Sequence, residues 1–426
     1  MASERWSISK LLRTLGPGLL TGAADDDPSG IATYSQSGAQ LGYALCWTMF
    51  LTMPLMVAIQ IVSARIGVVT GRGLAANLRQ ALPPATLYGA ITLVVGANIF
   101  NIVADIAAMA AAMRLLVGGP APAYALCFGI LCVAAQILIP YRSYARFMKF
   151  LTLVLFAYVA AAFSIHVPWG KVLGATVLPH FSWDRNLIVM LVAVLGTTIS
   201  PYLFFWQASL EVEERRVKER RKEAPLRDGE QAAQQRFRPI VVDTWIGMAF
   251  SNVIGFFIIV STAATLHAHG TVNIATAADA AEALRPLAGP LAFVLFSLGI
   301  IGTGLLAIPA LAGSAAYAVA ETFGWKNSLG MQPSRARGFY LIIGGATLLG
   351  AIGAMTKLDP IRMLVWSAVL NGIVAVPLMA MMMVLITNHR IMGKFAASRK
   401  LAIFGWLATL LMSVVIAVFF LSSITG

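Results

Sequence analysis

Three adjacent carboxylates, Asp25, Asp26 and Asp27, stand inside an apolar run that starts near Leu11 and resumes at Ile31. The stretch from Thr21 to Gly30 reads Thr-Gly-Ala-Ala-Asp-Asp-Asp-Pro-Ser-Gly. Pro28 has no N–H and turns the residue before it away from helical geometry, and Gly30 adds backbone freedom, so a helix is expected to break at Asp27. Such a break frees backbone carbonyls beside the carboxylates. Within a bilayer this is tolerated only where it lines a cavity, and carbonyl ends with acidic side chains make a cation site. An Asp at the centre of a spanning helix costs roughly 2.5–3.5 kcal/mol, so three in a row call for ions, solvent or partners rather than a bare kink.

A second interruption, Gly196-Thr197-Thr198-Ile199-Ser200-Pro201-Tyr202, falls in the sixth apolar run, five spans after the first. Taken alone, Pro201 is also compatible with a simple kink. Two interrupted helices in corresponding positions of two five-span halves point to a transporter site at the bilayer midplane, and an odd count inverts the halves with respect to each other.

These breaks need a membrane frame, and composition supplies one. The 426 residues are 59 % hydrophobic and 12 % charged, with a mean hydropathy of +0.80, which indicates an all-α polytopic membrane protein. Crossing about 30 Å of hydrocarbon takes roughly 20 apolar residues. Runs of that kind occur near 11–39, 43–64, 86–113, 122–140, 148–167, 186–210, 240–266, 288–318, 338–356, 361–387 and 401–423, giving eleven spans. The expectation is one transmembrane transport domain over 1–426, with repeat one about 11–167, repeat two about 186–387 and an extra helix about 401–423.

Charge sets the expected orientation. Of 31 Lys and Arg, 25 fall in the segments placed inside if the N-terminus is cytoplasmic; Arg114, Lys171, Arg185, Arg285, Lys357 and Arg362 are the rest. By the positive-inside rule the N-terminus is cytoplasmic and the C-terminus outside, in a plasma (inner) membrane. The net charge of +13 is thereby explained without nucleic acid. Glu211, Glu213 and Glu214, followed by Arg215, Arg216, Lys218, Arg220, Arg221 and Lys222, read as a solvated helix end meeting anionic headgroups. Cys46, Cys127 and Cys132 lie in apolar runs and read as packing residues. No cleavable signal peptide is expected, because Arg5, Lys10 and Arg13 precede a span followed by an acidic break.

Gly16-Pro17-Gly18, the Asp-Pro-Ser-Gly of Asp27 to Gly30 and the Ser-Pro-Tyr of Ser200 to Tyr202 resemble the natural-resistance-associated macrophage protein (Nramp) family of divalent-metal transporters, over nearly the whole chain. The resemblance implies a LeuT-like inverted 5+5 helix repeat plus an eleventh helix, with metal carried between broken helices 1 and 6. Family members read Asp-Pro-Gly-Asn at the first break and Met-Pro-His at the second, and Asp-Ile-Ala-Glu in the third helix, whose Glu is implicated in proton movement. Here the Asp is Asp27, but Gly30 stands at the Asn, Ser200 at the Met, Tyr202 at the His, and Ala108 follows Asp105-Ile106-Ala107 in place of the Glu. These departures resemble the Nramp-related magnesium transporters.

Ligand chemistry agrees. A thioether favours soft transition metals, whereas hydroxyl, carbonyl, carboxylate and water oxygens suit Mg²⁺ and Mn²⁺. Gly30 removes a ligand and opens volume, and Mg²⁺ keeps several waters. The expected metal site is Asp27 with carbonyls near Ala24 and Thr197, the Thr197 and Ser200 hydroxyls, the space beside Gly30, and water. Asn98, Asn101 and Asp105 share a face of the third span and either line the pathway or hydrogen-bond between helices. Asn371 in the tenth span and Tyr202 are further pathway candidates. Asp25 and Asp26 either attract cations at an outer vestibule or include a protonated carboxyl. Asp243 reads as an interface residue near the start of the seventh span, and His166, His180, His267, His269 and His389 lie in loops or at span ends.

The sequence therefore predicts a carrier of Mg²⁺ and Mn²⁺, without catalytic residues or a resident cofactor, whose partners are the cation and the bilayer and for which a monomer suffices. Alternatives are a proton-coupled Mn²⁺ or Fe²⁺ importer of the Nramp type and a sodium-coupled amino-acid carrier of the same architecture. The Asp triplet would repel that carrier's substrate carboxylate. An intramembrane enzyme would need a nucleophile–base pair or a His/Asp metal cluster in the bundle, which the histidine placement does not provide.

Overall fold

Pro28 and Pro201 each begin a helix, and the chain leaves helical geometry just before both, at Asp27 (φ −78°, ψ 170°) and at Ile199 (φ −115°, ψ 66°). Proline at a first helical position loses nothing, because its missing N–H would have no intrahelical acceptor. The computed structural model describes residues 17–140, 143, 153–179, 184–219, 230–356 and 358–425. The sequence expectations for Arg5, Lys10, Arg13, Gly16, His180, Arg220, Arg221, Lys222 and Lys357 lie outside the described residues.

The described helices run in order as α1 (Pro17–Asp25), α2 (Pro28–Leu41), α3 (Cys46–Thr70), α4 (Leu74–Ala81), α5 (Pro84–Val117), α6 (Ala121–Leu138), α7 (Phe156–Ser164), α8 (Trp169–Val177), α9 (Arg185–Thr198), α10 (Pro201–Glu219), α11 (Glu230–Thr265), α12 (Ala292–Phe323), α13 (Arg337–Gly353), α14 (Pro360–Thr387) and α15 (Arg399–Thr425), besides short turns. No strand occurs among the described residues. Eight stretches are long and apolar enough to cross a bilayer, or nine if the bent pair Leu153–Ser164 and Trp169–Val177 is one span. The broken first span (α1 and α2) and the 17-residue α13 bring the segments to the eleven expected from the sequence. The protein is an integral, multi-pass membrane protein.

One difference from the sequence expectation stands out at the end of a span. The stretch after the fifth span is a helix, α8, turned 116° from α7. It was hidden because Trp169 to Val177 is short and follows Pro168. The charged segment from Glu211 is helical as far as Glu219, since nothing in Glu-Val-Glu-Glu-Arg-Arg stops a helix already begun at Pro201.

Burial separates the centre of the bundle from its rim. The window through α9 and α10 is 94 % buried, whereas those in α6 and α15 are 28 % buried. Leu138 and Ile424, the most exposed large hydrophobics on α6 and α15, face outward as lipid-contacting residues do. Cys127, also on α6, is exposed, unlike buried Cys46 and Cys132, so its packing is against lipid rather than core.

Small residues let the central helices approach closely. A methyl on Gly22 would lie 2.6 Å from Gly247 Cα, and one on Gly18 would lie 2.7 Å from the Thr244 nitrogen, so α1 lies backbone to backbone on α11. Further along, α2 packs on the same helix. On the other side of the second break, a methyl on Gly196 would lie 2.5 Å from the Gly372 nitrogen, which fixes α9 against α14. Without a hydrophobic drive between helices in lipid, such close approach supplies the dispersion energy that holds them.

Candidate metal site at the two helix breaks

Asp27 caps α2. Its backbone is extended (φ −78°, ψ 170°), and its Oδ1 accepts from the Gly30 N–H at 2.8 Å and the Ser29 hydroxyl at 2.7 Å. This is the arrangement an N-terminal Asp adopts to satisfy the free amides of a first turn, with the helix dipole favouring its charge. Its other oxygen, Oδ2, is buried and has no hydrogen-bond partner.

The second break closes on the first. Ser200 donates to the carbonyls of Thr197 at 2.8 Å and Gly196 at 3.1 Å, which satisfies the frayed end of α9. Thr197 Oγ1 lies 3.5 Å from Ser29 Oγ, and a methyl on Gly30 would sit 3.3 Å from Thr197 Oγ1 and 3.6 Å from Asp27 Oδ1. Asp27, Gly30 and Thr197 therefore converge, with Ser200 held to the Thr197 carbonyl on the α9 side. Ala24 is beside them, but its carbonyl already accepts from the Tyr202 hydroxyl at 2.8 Å. Tyr202 thus bridges the two broken helices, and a cation would use the carbonyl's second lone pair. Ala24, Asp27, Ser29, Thr197, Ser200 and Tyr202 are each at most 1 % exposed and Gly30 is buried, so the junction is closed to both ends of the bundle.

Around the junction stand further unpaired oxygens. Asp105 on α5 is fully buried, with neither carboxylate oxygen hydrogen-bonded, and lies within Coulombic reach of Asp27. Asn101 donates to Asn371 Oδ1 at 2.9 Å, joining α5 to α14, and Asn98 donates to the Leu311 carbonyl on α12 at 3.0 Å. The three α5 residues therefore hydrogen-bond between helices or remain open: Asn98 Oδ1 and Asn101 Oδ1 have no partner.

Asp25 and Asp26 lie within Coulombic reach of Asp27 but share a different partner from it. Each is 3 % exposed, and Ser251 on α11 approaches Asp25 Oδ2 at 2.7 Å and Asp26 Oδ1 at 2.9 Å. One hydroxyl proton serves only one of them at a time. An open outer vestibule is not where they sit, because the break turns them against α11. Asp243 also differs from expectation: it is 4 % exposed and accepts from the Gly18 N–H at 2.7 Å, capping the start of α1 from across the bundle. Glu211 and Glu213 are likewise engaged rather than solvated. Gln207 donates to Glu211 at 3.1 Å, and Glu213 accepts from the Leu329 N–H at 2.6 Å and from Tyr317.

Sequence reasoning missed Ser29, Ser251 and Tyr34, whose hydroxyl lies 3.2 Å from Thr198 Oγ1 across the two breaks. Ser29 was legible in the Asp-Pro-Ser-Gly itself, whereas Ser251 is a single hydroxyl in a long apolar helix. Among the described residues no three His, Cys, Asp or Glu side chains group closely enough to hold a metal by themselves. A cation at the junction would take oxygen from hydroxyls, carbonyls, amides and water beside Asp27. His267 and His269 bond to the carbonyls of Ala39 (2.9 Å) and Thr265 (2.5 Å) at one end of the bundle, away from both breaks.

The natural resistance-associated macrophage protein-like family model matches residues 18–422. The chain belongs to the Nramp family. Its relatives include the divalent metal cation transporter MntH of Yersinia pestis (strain Pestoides F), 25 % identical over 419 residues, spanning 94 % of this chain and 92 % of the relative. The fold is that of a manganese transporter from Eremococcus coleocola, solved in complex with an aromatic bis-isothiourea substituted compound, with a TM-score of 0.75 at 16 % identity over 97 % of this chain and 87 % of that one. Mhp1, a nucleobase-cation-symport-1 family transporter, shares the LeuT-like architecture at a TM-score of 0.60 and 15 % identity, over 96 % and 93 % of the two chains. Nramp proteins are transporters, so the expectation that no catalytic apparatus would be found agrees with the family. The two broken helices of the Nramp fold are α1/α2 and α9/α10 here.

Proposed function

We propose that this Nramp protein carries Mg²⁺, and Mn²⁺ with it, through a partly hydrated oxygen site formed by Asp27, Thr197, Ser200 and the carbonyl of Ala24. One observation carries the reading: Asp27 and Asp105 are buried carboxylates beside the junction of the breaks, with three oxygens unpaired and no cationic side chain bonded to them among the described residues. Two buried negative charges without a counter-charge are costly. A divalent ion neutralises both at once, and Mn²⁺ and Mg²⁺ accept an all-oxygen set.

Ser200 favours the harder ion over the soft metals that a thioether would select. Gly30 leaves space next to Thr197 Oγ1 and Asp27 Oδ1, which suits an ion that keeps water, and Mg²⁺ sheds water reluctantly. Asp105 and the free amide oxygens of Asn98 and Asn101 would receive hydrogen bonds from those waters. Asn371, through its bond to Asn101, holds that face of the shell in place.

Transport by alternating access follows from two broken spans rocking against the helices around them. Tyr202 to Ala24 is a bond that must be exchanged when the junction opens. An inside-negative potential of 100 mV supplies about 2.3 kcal/mol per charge, or about 4.6 kcal/mol for a divalent ion, enough to sustain an inward gradient of order a thousandfold. With Tyr202 at the family's His position and Ala108 in place of the Glu implicated in proton movement, uptake proceeds with little or no proton coupling. The N-terminus lies in the cytoplasm and the C-terminus outside.

Proteoliposomes with an internal pH dye and a Mg²⁺ indicator test this. Potential-driven Mg²⁺ uptake without acidification is expected. Acidification at a fixed ratio to metal uptake would instead support the proton-coupled Mn²⁺/Fe²⁺ importer.

A further inference from the structure

At the end of the bundle where α3, α10 and α12 finish and α4 lies, a cleft of about 460 Å³ opens between four elements. That volume is in the ~300–1,000 Å³ range of small-molecule sites. Three guanidinium groups from three different elements line it: Arg72 from the turn after α3, Arg79 from α4 and Arg216 from α10. The remaining polar side chains are Gln80, Glu321, Asn327 and the Trp325 indole.

The charges are unevenly compensated. Glu321 is the floor, 7 % exposed, and its carboxylate accepts from the Ala76 N–H at 3.3 Å and from Ser209 at 3.4 Å. Arg216 is in Coulombic reach of Glu321 and donates to the Asn327 carbonyl at 3.3 Å. Arg79 Nη1 lies 3.1 Å from where a methyl on Gly324 would be, at the carbonyl end of α12. Neither the Arg72 nor the Arg79 guanidinium makes a hydrogen bond or ion pair to a described residue. The cleft thus presents two uncommitted planar donors, the groups that grip phosphate oxygens in bidentate fashion.

Beside the cleft the surface is that of a membrane–water boundary. Trp325 (44 % exposed) stacks on Phe323 (54 %), with ring centroids 5.4 Å apart, and Phe323 stacks on Tyr88 (49 %) at 6.1 Å. Exposed Trp and Tyr collect at headgroup level. Basic pockets between spanning helices at that level recognise phospholipid headgroups.

We propose that this cleft binds the phosphate of an anionic phospholipid, with Arg72 and Arg79 as its bidentate donors and Arg216 as the charge beneath. Occupancy ties α4 and the end of α10, the half-helix that carries Ser200 at its other end, to the end of α12. The site is therefore remote from the cation junction but attached to a helix that must move. It stands apart from the choice of transported ion and does not depend on it.

Thermal melting of the full-length protein in detergent micelles tests the assignment, with added phosphatidylglycerol, phosphatidylcholine of the same acyl chains, or soluble glycerol phosphate. Phosphatidylglycerol should raise the melting temperature by about 2–5 °C over phosphatidylcholine, and soluble glycerol phosphate at the same concentration should not. The pair Arg72→Gln and Arg79→Gln should remove that difference, while Arg72→Lys with Arg79→Lys should keep part of it. Should the Gln pair not purify as a folded protein, each single Gln variant should show a reduced difference. Equal shifts with both lipids, or a shift that survives in the folded Gln variants, would overturn the proposal. A shift of the same size with glycerol phosphate would reassign the cleft to a soluble phosphate and overturn the lipid.

Discussion

Asp27 does two separable jobs, and a single substitution pulls them apart. Its Oδ1 caps α2 through Gly30 and Ser29, while Oδ2 is left for the ion. Asp27→Asn keeps a carbonyl oxygen for the cap and removes the charge. Asp27→Ala removes both, and loss of an N-cap costs about 0.5–2 kcal/mol. Stripping one charge from a buried ion pair costs roughly 3–5 kcal/mol, which at 1.4 kcal/mol per decade is a loss of about a hundredfold to several thousandfold in affinity. In proteoliposomes held at an inside-negative potential, Asp27→Asn should therefore melt close to the native protein yet show no saturable Mg²⁺ uptake at concentrations that saturate the native carrier. Asp27→Ala should share the transport defect and melt lower. An Asp27→Asn protein whose half-saturating Mg²⁺ stayed within tenfold of native would refute the assignment of Oδ2 to the ion.

Three further outcomes follow from the same geometry. Gly22→Ala forces α1 away from Gly247, and overpacking of this kind costs about 1–3 kcal/mol, read as a lower melting temperature. Asn101→Ala and Asn371→Ala each strand a buried amide, costing about 1–3 kcal/mol; the double variant should cost less than the two together, as a thermodynamic cycle on melting would register. Gly30→Ala meets Thr197 Oγ1 at 3.3 Å, so it should fold normally but slow Mg²⁺ flux several-fold by filling space used by hydration water; unchanged flux would mean that no water resides there.

The sequence disclosed the breaks because Pro28 and Pro201 act on their immediate neighbours, and local chemistry is legible in a string of residues. It disclosed the spans because apolar length is a one-dimensional property. What it hid was pairing across the bundle. Asp243 looked like an interface residue because nothing near it in the chain says that the Gly18 N–H, 225 residues away, lacks an acceptor. Tyr202 was legible as a departure from the family motif, but not as the donor to Ala24. Likewise Asp25 and Asp26 were legible as a cluster with Asp27, but not the Ser251 hydroxyl, 225 residues or more away, that the two of them share. The acidic run at Glu211 to Glu214 looked solvated because its partners, Tyr317 and Leu329, come from a hundred residues further on.

The central claim is that an all-oxygen junction between the two breaks carries a hard divalent ion, and Ser200 is where that claim is most exposed. Mg²⁺ uptake into proteoliposomes, measured with increasing Mn²⁺ as competitor for the native protein and for Ser200→Met, tests it directly. The native carrier should move Mg²⁺ and lose that flux only when Mn²⁺ reaches comparable concentration, while Ser200→Met should let Mn²⁺ displace Mg²⁺ at about tenfold lower concentration or less. A native protein that moves Mn²⁺ but no Mg²⁺, or a Ser200→Met carrier with unchanged preference, would contradict the account.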